Sequence, residues 1–189
     1  REAIMARVRS AVKAGASDED RRRAVAERLA SHPSGVIPAR GQLPQRERVA
    51  LFCEIAERIA ATVERVKKAD DVPKAVTQYL RGKNLPAAIR MGEDPRLAAM
   101  PWAKQRALSI KSGASDGYDE VGVSHALAGI AETGTVVMTS GPENPTTLNF
   151  LPEHHIVIVD AAEIDGDLET ALQRVRTAHG AGEMPRTVN

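Results

Sequence analysis

The sequence predicts an α/β protein, a mainly parallel sheet flanked by helices and preceded by an all-helical lead. Three observations carry this. Apolar runs at residues 136–138 and 156–159 are too short for helices and suit buried strands. Such runs alternate with segments whose apolar residues recur at three- and four-residue steps, an order that builds a parallel sheet covered on both faces. Aromatic residues make up only 3% of the chain, so the core is aliphatic.

The lead consists of helices over residues 2–14, with Ile4, Val8, Ala11 and Val12 on one side, and 18–30. Ser17 and Asp20 open the second as a capping box of the acidic kind, and His32-Pro-Ser-Gly35 ends it. Residues 35–44 hold two prolines and two glycines and read as a surface loop. A helix follows over 45–61, where Val49, Phe52, Cys53, Ala56, Ile59 and Ala60 form a core-facing stripe. The boundary between the lead (1–60) and an α/β domain (61–189) is placed near residue 61. Within that domain the sequence predicts strands at 61–66, 87–91, 108–110, 136–138 and 156–159. Helices are expected at 73–80, at 121–130 with Val123, Leu127 and Ile130 apolar, and at 168–179.

With 189 residues, 42% hydrophobic and 27% charged, the chain has ordinary globular composition. No apolar run approaches the roughly 18 residues of a membrane span, and residues 1–15 lack the apolar core of a secretory leader. A cytoplasmic location is the expectation. Cys53 is the single cysteine, which excludes an internal disulfide and any all-cysteine zinc or iron–sulfur site within one chain. Its place in the apolar stripe suits an inert core residue. The net charge is only +1, but residues 1–112 carry 23 Lys+Arg against 13 Asp+Glu, and residues 113–189 carry 3 against 12. The lopsided charge fits either two solvated faces that neutralise one another or a basic face for an anionic ligand or acidic partner. Nucleic acid is not expected: binding motifs are absent and stacking aromatics are few.

Candidate chemistry concentrates in residues 129–147. Glu132, in Ala131-Glu-Thr-Gly-Thr135, sits where a helix is expected to end, with Gly134 taking the left-handed conformation that closes it. It reads either as an acid/base group or ligand anchor beside Thr133 and Thr135, or as a capping, solvated carboxylate. His125, seven residues earlier on the same predicted helix, shares its face and suits the opposite wall of one pocket. Residues 139–147 form a loop with hydroxyls and an amide, Ser140 and Asn144 among them, whose backbone amides suit a phosphate or carboxylate. Nucleotide-binding fingerprints are missing there. Residues 113–122 read as a polar loop over the same sheet edge. The adjacent His154 and His155 point to opposite sides of an extended segment and make a poor chelating pair, so no metal site is expected.

The run Gly129-Ile-Ala-Glu-Thr-Gly-Thr-Val-Val-Met138, then Leu151-Pro and His155-Ile-Val-Ile-Val159, resembles the lactate-utilisation (LUD-domain) family, in particular its protein C type. The resemblance implies a fold similar to the ribose-phosphate isomerase, glucosamine-phosphate deaminase and coenzyme A transferase group. It also implies a bacterial cytoplasmic role in oxidising L-lactate to pyruvate alongside partner subunits that carry the iron–sulfur clusters, with no cofactor in this chain. Members continue with a Ser-Gly-Pro-Ser-x-Thr-Ala-Asp-Ile-Glu segment, whereas this sequence begins at Arg1 and stops at Met184-Pro-Arg-Thr-Val-Asn189. Both ends, and with them a polar anion-binding part, are therefore expected to be missing. The expected function is a non-redox component of lactate utilisation that binds an organic anion. Glu132 is its candidate catalytic residue, and Thr133, Gly134, Thr135, Ser140, Asn144 and His125 are its candidate ligand-binding residues. The alternative is a stand-alone enzyme acting on a phosphorylated or coenzyme A-linked small molecule.

Overall fold

The structure is a computed structural model that describes residues 2–11, 18–180 and 184–189. It forms two compact units, Arg1–Val36 and Ile37–Asn189. The first holds helices α1 (Glu2–Ala11) and α2 (Asp18–Ser31), where the sequence predicts them. Residues 12–14 of the first predicted helix and Ser17 of the capping box lie outside the described residues. Ile4, Met5 and Val8 of α1 and Val25 and Leu29 of α2 are exposed.

The second unit opens with a 3-10 turn, Ala39–Gly41, inside the segment read as loop, and continues into α3 (Gln45–Arg58). Although α3 reads in sequence as part of the lead, its buried Val49 and Phe52 pack on Ala131 and Ile164 of this unit. It ends three residues before the predicted bound. Ala60 adopts a left-handed φ of 73°, and the Ala61 amide reaches back to the Ala56 carbonyl, which closes the last turn. The strand expected over 61–66 does not form. These residues are exposed apart from a half-buried Val63, and a segment with no neighbouring strand has no ladder to join.

Next come α4 (Val72–Gly82), β1 (Ala88–Met91), α5 (Pro95–Ala98), β2 (Ser109–Ser112) and β3 (Val121–His125). They are followed by β4 (Ala128–Ile130), β5 (Thr135–Val137), α6 (Thr146–Phe150), β6 (His154–Ile158), β7 (Ile164–Asp165) and α7 (Leu168–His179). The first sheet has the order β2-β1-β3-β6 with every pair parallel; Met91 lies beside Val123 and Val123 beside Ile156. The second has the order β5-β4-β7, antiparallel between β4 and β5 and parallel between β4 and β7. The architecture is the expected mixed α/β one, with a mainly parallel four-stranded sheet flanked by helices and a helical region at the N-terminus.

A second expectation is overturned. Residues 121–130 are not a helix but two strands, β3 and β4. Every residue of both is buried. A strand covered on both faces shows no alternation, so its apolar residues also match helical spacing by chance.

Packing follows the pleat. On one face of the first sheet, Ile89, Met91, Val121 and Val123 meet Val72, Val76 and Leu80 of α4 and Leu97 of α5. The second sheet is sandwiched: Ala128, Ile130 and Val137 face Ala171 and Val175 of α7, and Ala131 and Ile164 face α3. Space at Gly129 is tight on the α3 side, where a Cβ would meet the Phe52 and Ile164 side chains at 3.1 Å and push them back slightly.

Candidate functional site

The structure separates the predicted site residues into two places. The first lies at the carboxyl ends of β1 and β3. Because β2 flanks β1 on one side and β3 on the other, the strand order reverses between them, and such a reversal leaves a crevice outside the strand ends. His125 ends β3 there, buried, with its Nδ1 2.9 Å from the Ala126 carbonyl oxygen. The 139–147 loop closes over the same end. The Glu93 amide donates to the Pro142 carbonyl, and a Cβ at Gly92 would lie 2.0 Å from the Glu143 carbonyl oxygen. Three of the loop's amides are already engaged: Gly141 and Asn144 bond each other's backbones, and Ser140 bonds Thr187 through both its amide and its hydroxyl. Asn144 is buried, and its Oδ1 has no partner among the described residues. α6, which follows, has only five residues.

Asp94 and Arg96 belong to this place, and neither was singled out in the sequence. Asp94 caps α5 by accepting from the Arg96 amide at 2.8 Å, and it takes the Arg96 side chain at 2.7 and 3.1 Å. Burial pushes the Asp94 carboxyl up, but the Arg96 side chain and amide outweigh it and hold the carboxyl below its usual range. Arg96 reaches on to the Ala126 carbonyl and to Glu163. Its donors are committed, so this cluster braces β1 to β3 rather than offering an open cation. The signal in sequence was Asp94-Pro95, a cap followed by proline at the first helical position.

The second place is the tip of the β4–β5 hairpin. Ile130 pairs with Thr135, so Ala131–Gly134 is the turn. Gly134 has a left-handed φ of 68°, as expected, but it closes a hairpin turn rather than a helix. Its Cα packs so tightly on α3 that a Cβ would meet the Ala56 amide nitrogen at 2.9 Å. The expected common helix of Glu132 and His125 does not exist. β4 runs between them, three residues at about 3.3 Å each, so they stand at opposite ends of a strand and not across one pocket. Thr133 and Thr135 hydrogen-bond each other through their hydroxyls at 2.8 Å.

Glu132 itself is buried, its side chain 7% exposed. Its Oε2 has no hydrogen-bond partner among the described residues. The Arg40 Nε lies 3.7 Å away, close enough to attract but beyond hydrogen-bond reach. Leaving a buried acceptor unmatched costs about 1–3 kcal/mol, which marks the position as more than a solvated carboxylate. Arg40 comes from the 3-10 turn in the segment read as loop, and no sequence signal foretold its role. That turn is fixed from below. Gly41 and Gly166 touch backbone to backbone, and Gln42 donates to Asp167 at 2.8 Å. Asp167 also caps α7 by accepting from the Thr170 amide. Beside it Arg174 bonds Asp165.

The remaining histidines pack as the extended segment requires. His154 Nδ1 meets the Tyr79 hydroxyl at 3.0 Å, and His155 Nε2 meets the Ser124 hydroxyl at 3.0 Å, on opposite faces of β6. In the 113–120 loop, Asp119 gathers Arg90, Ser115 and Lys111. Among the described residues there is no cluster of three or more His, Cys, Asp or Glu suited to a metal, and no helix long and apolar enough to cross a membrane.

Fold and site together define an α/β protein with a parallel sheet and a buried carboxylate at a hairpin tip. Residues 49–189 match the model of the LUD domain, so the chain belongs to the LUD-domain family. That family is associated with lactate utilisation in general. The chain also resembles the crystal structure of a DUF162 family protein from Deinococcus radiodurans, with a TM-score of 0.62 over 78% of this chain and 87% of that one. At 17% identity that likeness bears on the fold alone. A stretch of 54 residues is 35% identical to the uncharacterized protein NMB1437 of Neisseria meningitidis serogroup B, covering 29% of this chain and 23% of that protein.

Proposed function

We propose that this chain is a non-redox component of a bacterial L-lactate utilisation system, acting with iron–sulfur partner subunits in the oxidation of lactate to pyruvate and binding an organic anion. The observation that carries the reading is Glu132: a buried carboxylate with an unmatched oxygen, faced by the half-engaged guanidinium of Arg40. Membership of the LUD-domain family supplies the lactate context. With one cysteine, this stretch of sequence lacks the ligands of a cysteine-bound cluster, so electron transfer through clusters is assigned to the partners. Glu132 accepts a proton or hydrogen bond from the ligand, and the Thr133–Thr135 turn shapes the entrance.

The test is genetic. A bacterium lacking this gene is supplied with the intact gene or with Glu132→Gln, and its growth on L-lactate as sole carbon source is followed. The intact gene restores growth, and Glu132→Gln, expressed at the same level, leaves growth at least tenfold slower. Full growth with Glu132→Gln removes Glu132 from the function; full growth without the gene removes the lactate role.

A further inference from the structure

The two edge strands of the first sheet are built differently. β2 reads Ser109-Ile-Lys-Ser112 and is largely exposed, with Lys111 on it, the makeup of a strand that ends a sheet in water. β6, at the other edge, runs on as Ile156-Val-Ile-Val159 without a charge. Such an unbroken apolar run is the composition of an interior strand. Yet every residue of β6 is only half-buried, whereas its neighbour β3 is buried throughout.

The backbone shows what β6 lacks. The His154 amide donates to the Glu120 carbonyl and the Ala126 amide to the Ile158 carbonyl, with His154 beside Val121 and Ile158 beside His125. In a parallel ladder this turns the polar groups of residues 154, 156 and 158 toward β3. Those of His155, Val157 and the following Val159 point outward. No hydrogen bond among the described residues takes up an amide or carbonyl of these three. Beyond them Asp160, Ala161 and Ala162 are exposed, so the edge stays open at its end.

We infer that β6 is a dimer edge: two copies of this chain pair β6 antiparallel about a twofold axis at Val157, joining their first sheets into one. Val157 exchanges both hydrogen bonds with the partner's Val157, and His155 does so with the partner's Val159, so every outward group finds its match. Between these pairs Ile156 meets the partner's Ile158, and His154 meets the partner's Asp160. Both polar groups have capacity left. His154 is held at Nδ1 by the Tyr79 hydroxyl at 3.0 Å, which leaves Nε2, and Asp160 accepts from the Ala162 amide at 2.9 Å through Oδ1, which leaves Oδ2. Neighbouring registers fit worse. An axis at Ile156 sets Glu153 opposite Val159, and one at Ile158 sets Asp160 opposite Ile156; either puts a carboxylate against an apolar side chain. This self-complementarity, which a twofold contact requires, is what selects a second copy as the occupant.

The experiment measures the mass of the purified chain by light scattering at about 50 µM, where an interface of micromolar Kd is mostly occupied. The wild type should show twice the 20.3 kDa of one chain. Val157→Pro removes a donor that faces away from β3, a change an edge strand accepts. It should give a folded monomer, with the fluorescence of buried Trp102 reporting the fold. Val157→Lys and Val157→Glu each set like charges opposite one another across the axis and should be monomeric. Mixed in equal amounts they should recover the dimer, because opposite charges then face each other. This pair decides the matter if Val157→Pro does not fold.

A monomeric wild type overturns the inference, whether the β6 edge is free or covered within one chain. A dimer that survives both Val157→Pro and Val157→Lys also overturns it and moves the contact to another surface, the exposed apolar residues of α1 and α2 among them. A mixture of the lysine and glutamate variants that stays monomeric refutes the axis at Val157.

Discussion

Gly41→Ala is the sharpest perturbation of the hairpin site, because its cost is set by backbone. A Cβ at Gly41 would lie 1.9 Å from the Gly166 carbonyl oxygen and 2.7 Å from its carbon. Ordinary contact begins at 3.4 Å, so the two segments must part by about 1.5 Å. No side chain can yield in their place. The shift carries off the 2.8 Å bond from Gln42 to Asp167 and moves Arg40 away from Glu132. Overpacking of this kind costs about 1–3 kcal/mol. In a protein of this size each kcal/mol lowers the melting temperature by about 2–4 °C. The single tryptophan, Trp102, is buried in the same unit, so its fluorescence follows the transition directly. The control is Gly82→Ala at the end of α4, where a Cβ meets nothing within 4 Å and φ is ordinary. It should leave the melting temperature unchanged or raise it slightly, by the equivalent of about 0.4–1 kcal/mol. If Gly41→Ala melts with wild type, the glycine contact does not fix the Arg40 turn.

Three further outcomes are expected. Asp167→Ala removes both the α7 cap and the partner of Gln42, so chemical denaturation should show a loss of about 0.5–2 kcal/mol, with Asp167→Asn losing less because asparagine also caps. In Asp94, Asp119 and Asp167, burial raises the carboxyl, but hydrogen bonds, joined at Asp94 and Asp119 by nearby cations, outweigh it and hold the group below the unperturbed 3.8. The unfolded chain binds those protons first, so stability is present above about pH 4 and falls as pH drops through the folded values. Asp94→Asn should flatten that fall, and an unchanged acid transition would deny Asp94 the role. Burial lowers His155 below 6.5, so the unfolded state takes its proton more readily and stability declines as pH falls below about 6.5. His155→Gln should abolish that slope in melts taken between about pH 7.5 and 5.5, and a persisting slope would assign it elsewhere.

Much of the fold was legible because periodicity and burial coincide in it. α7 occupies the predicted span, and β1, β2, β5 and β6 fall within a residue or two of their apolar runs. β3 and β4 were hidden by the very burial that makes them central: with both faces covered, Val123, Leu127 and Ile130 read as a helical stripe. That error propagated to the site, since it joined His125 to Glu132 through a helix that is two strands. Gly134 was found, because a polar turn between apolar runs calls for left-handed backbone. Arg40 was not, because its importance comes from a glycine–glycine contact some 125 residues apart in sequence, bridged by Gln42 and Asp167. Asp94 and Asp167 carried visible capping patterns, yet what each braces is decided only by the tertiary neighbours Arg96 and Gln42.

The central claim is that this chain takes part in lactate oxidation without carrying the electrons. It is tested most directly by combining the purified protein with the iron–sulfur subunits proposed as its partners, without oxygen, and following lactate-dependent reduction of an artificial acceptor. The account predicts that the rate collapses when this chain is omitted and drops at least tenfold with Glu132→Gln. Partners that oxidise lactate equally well alone would contradict it.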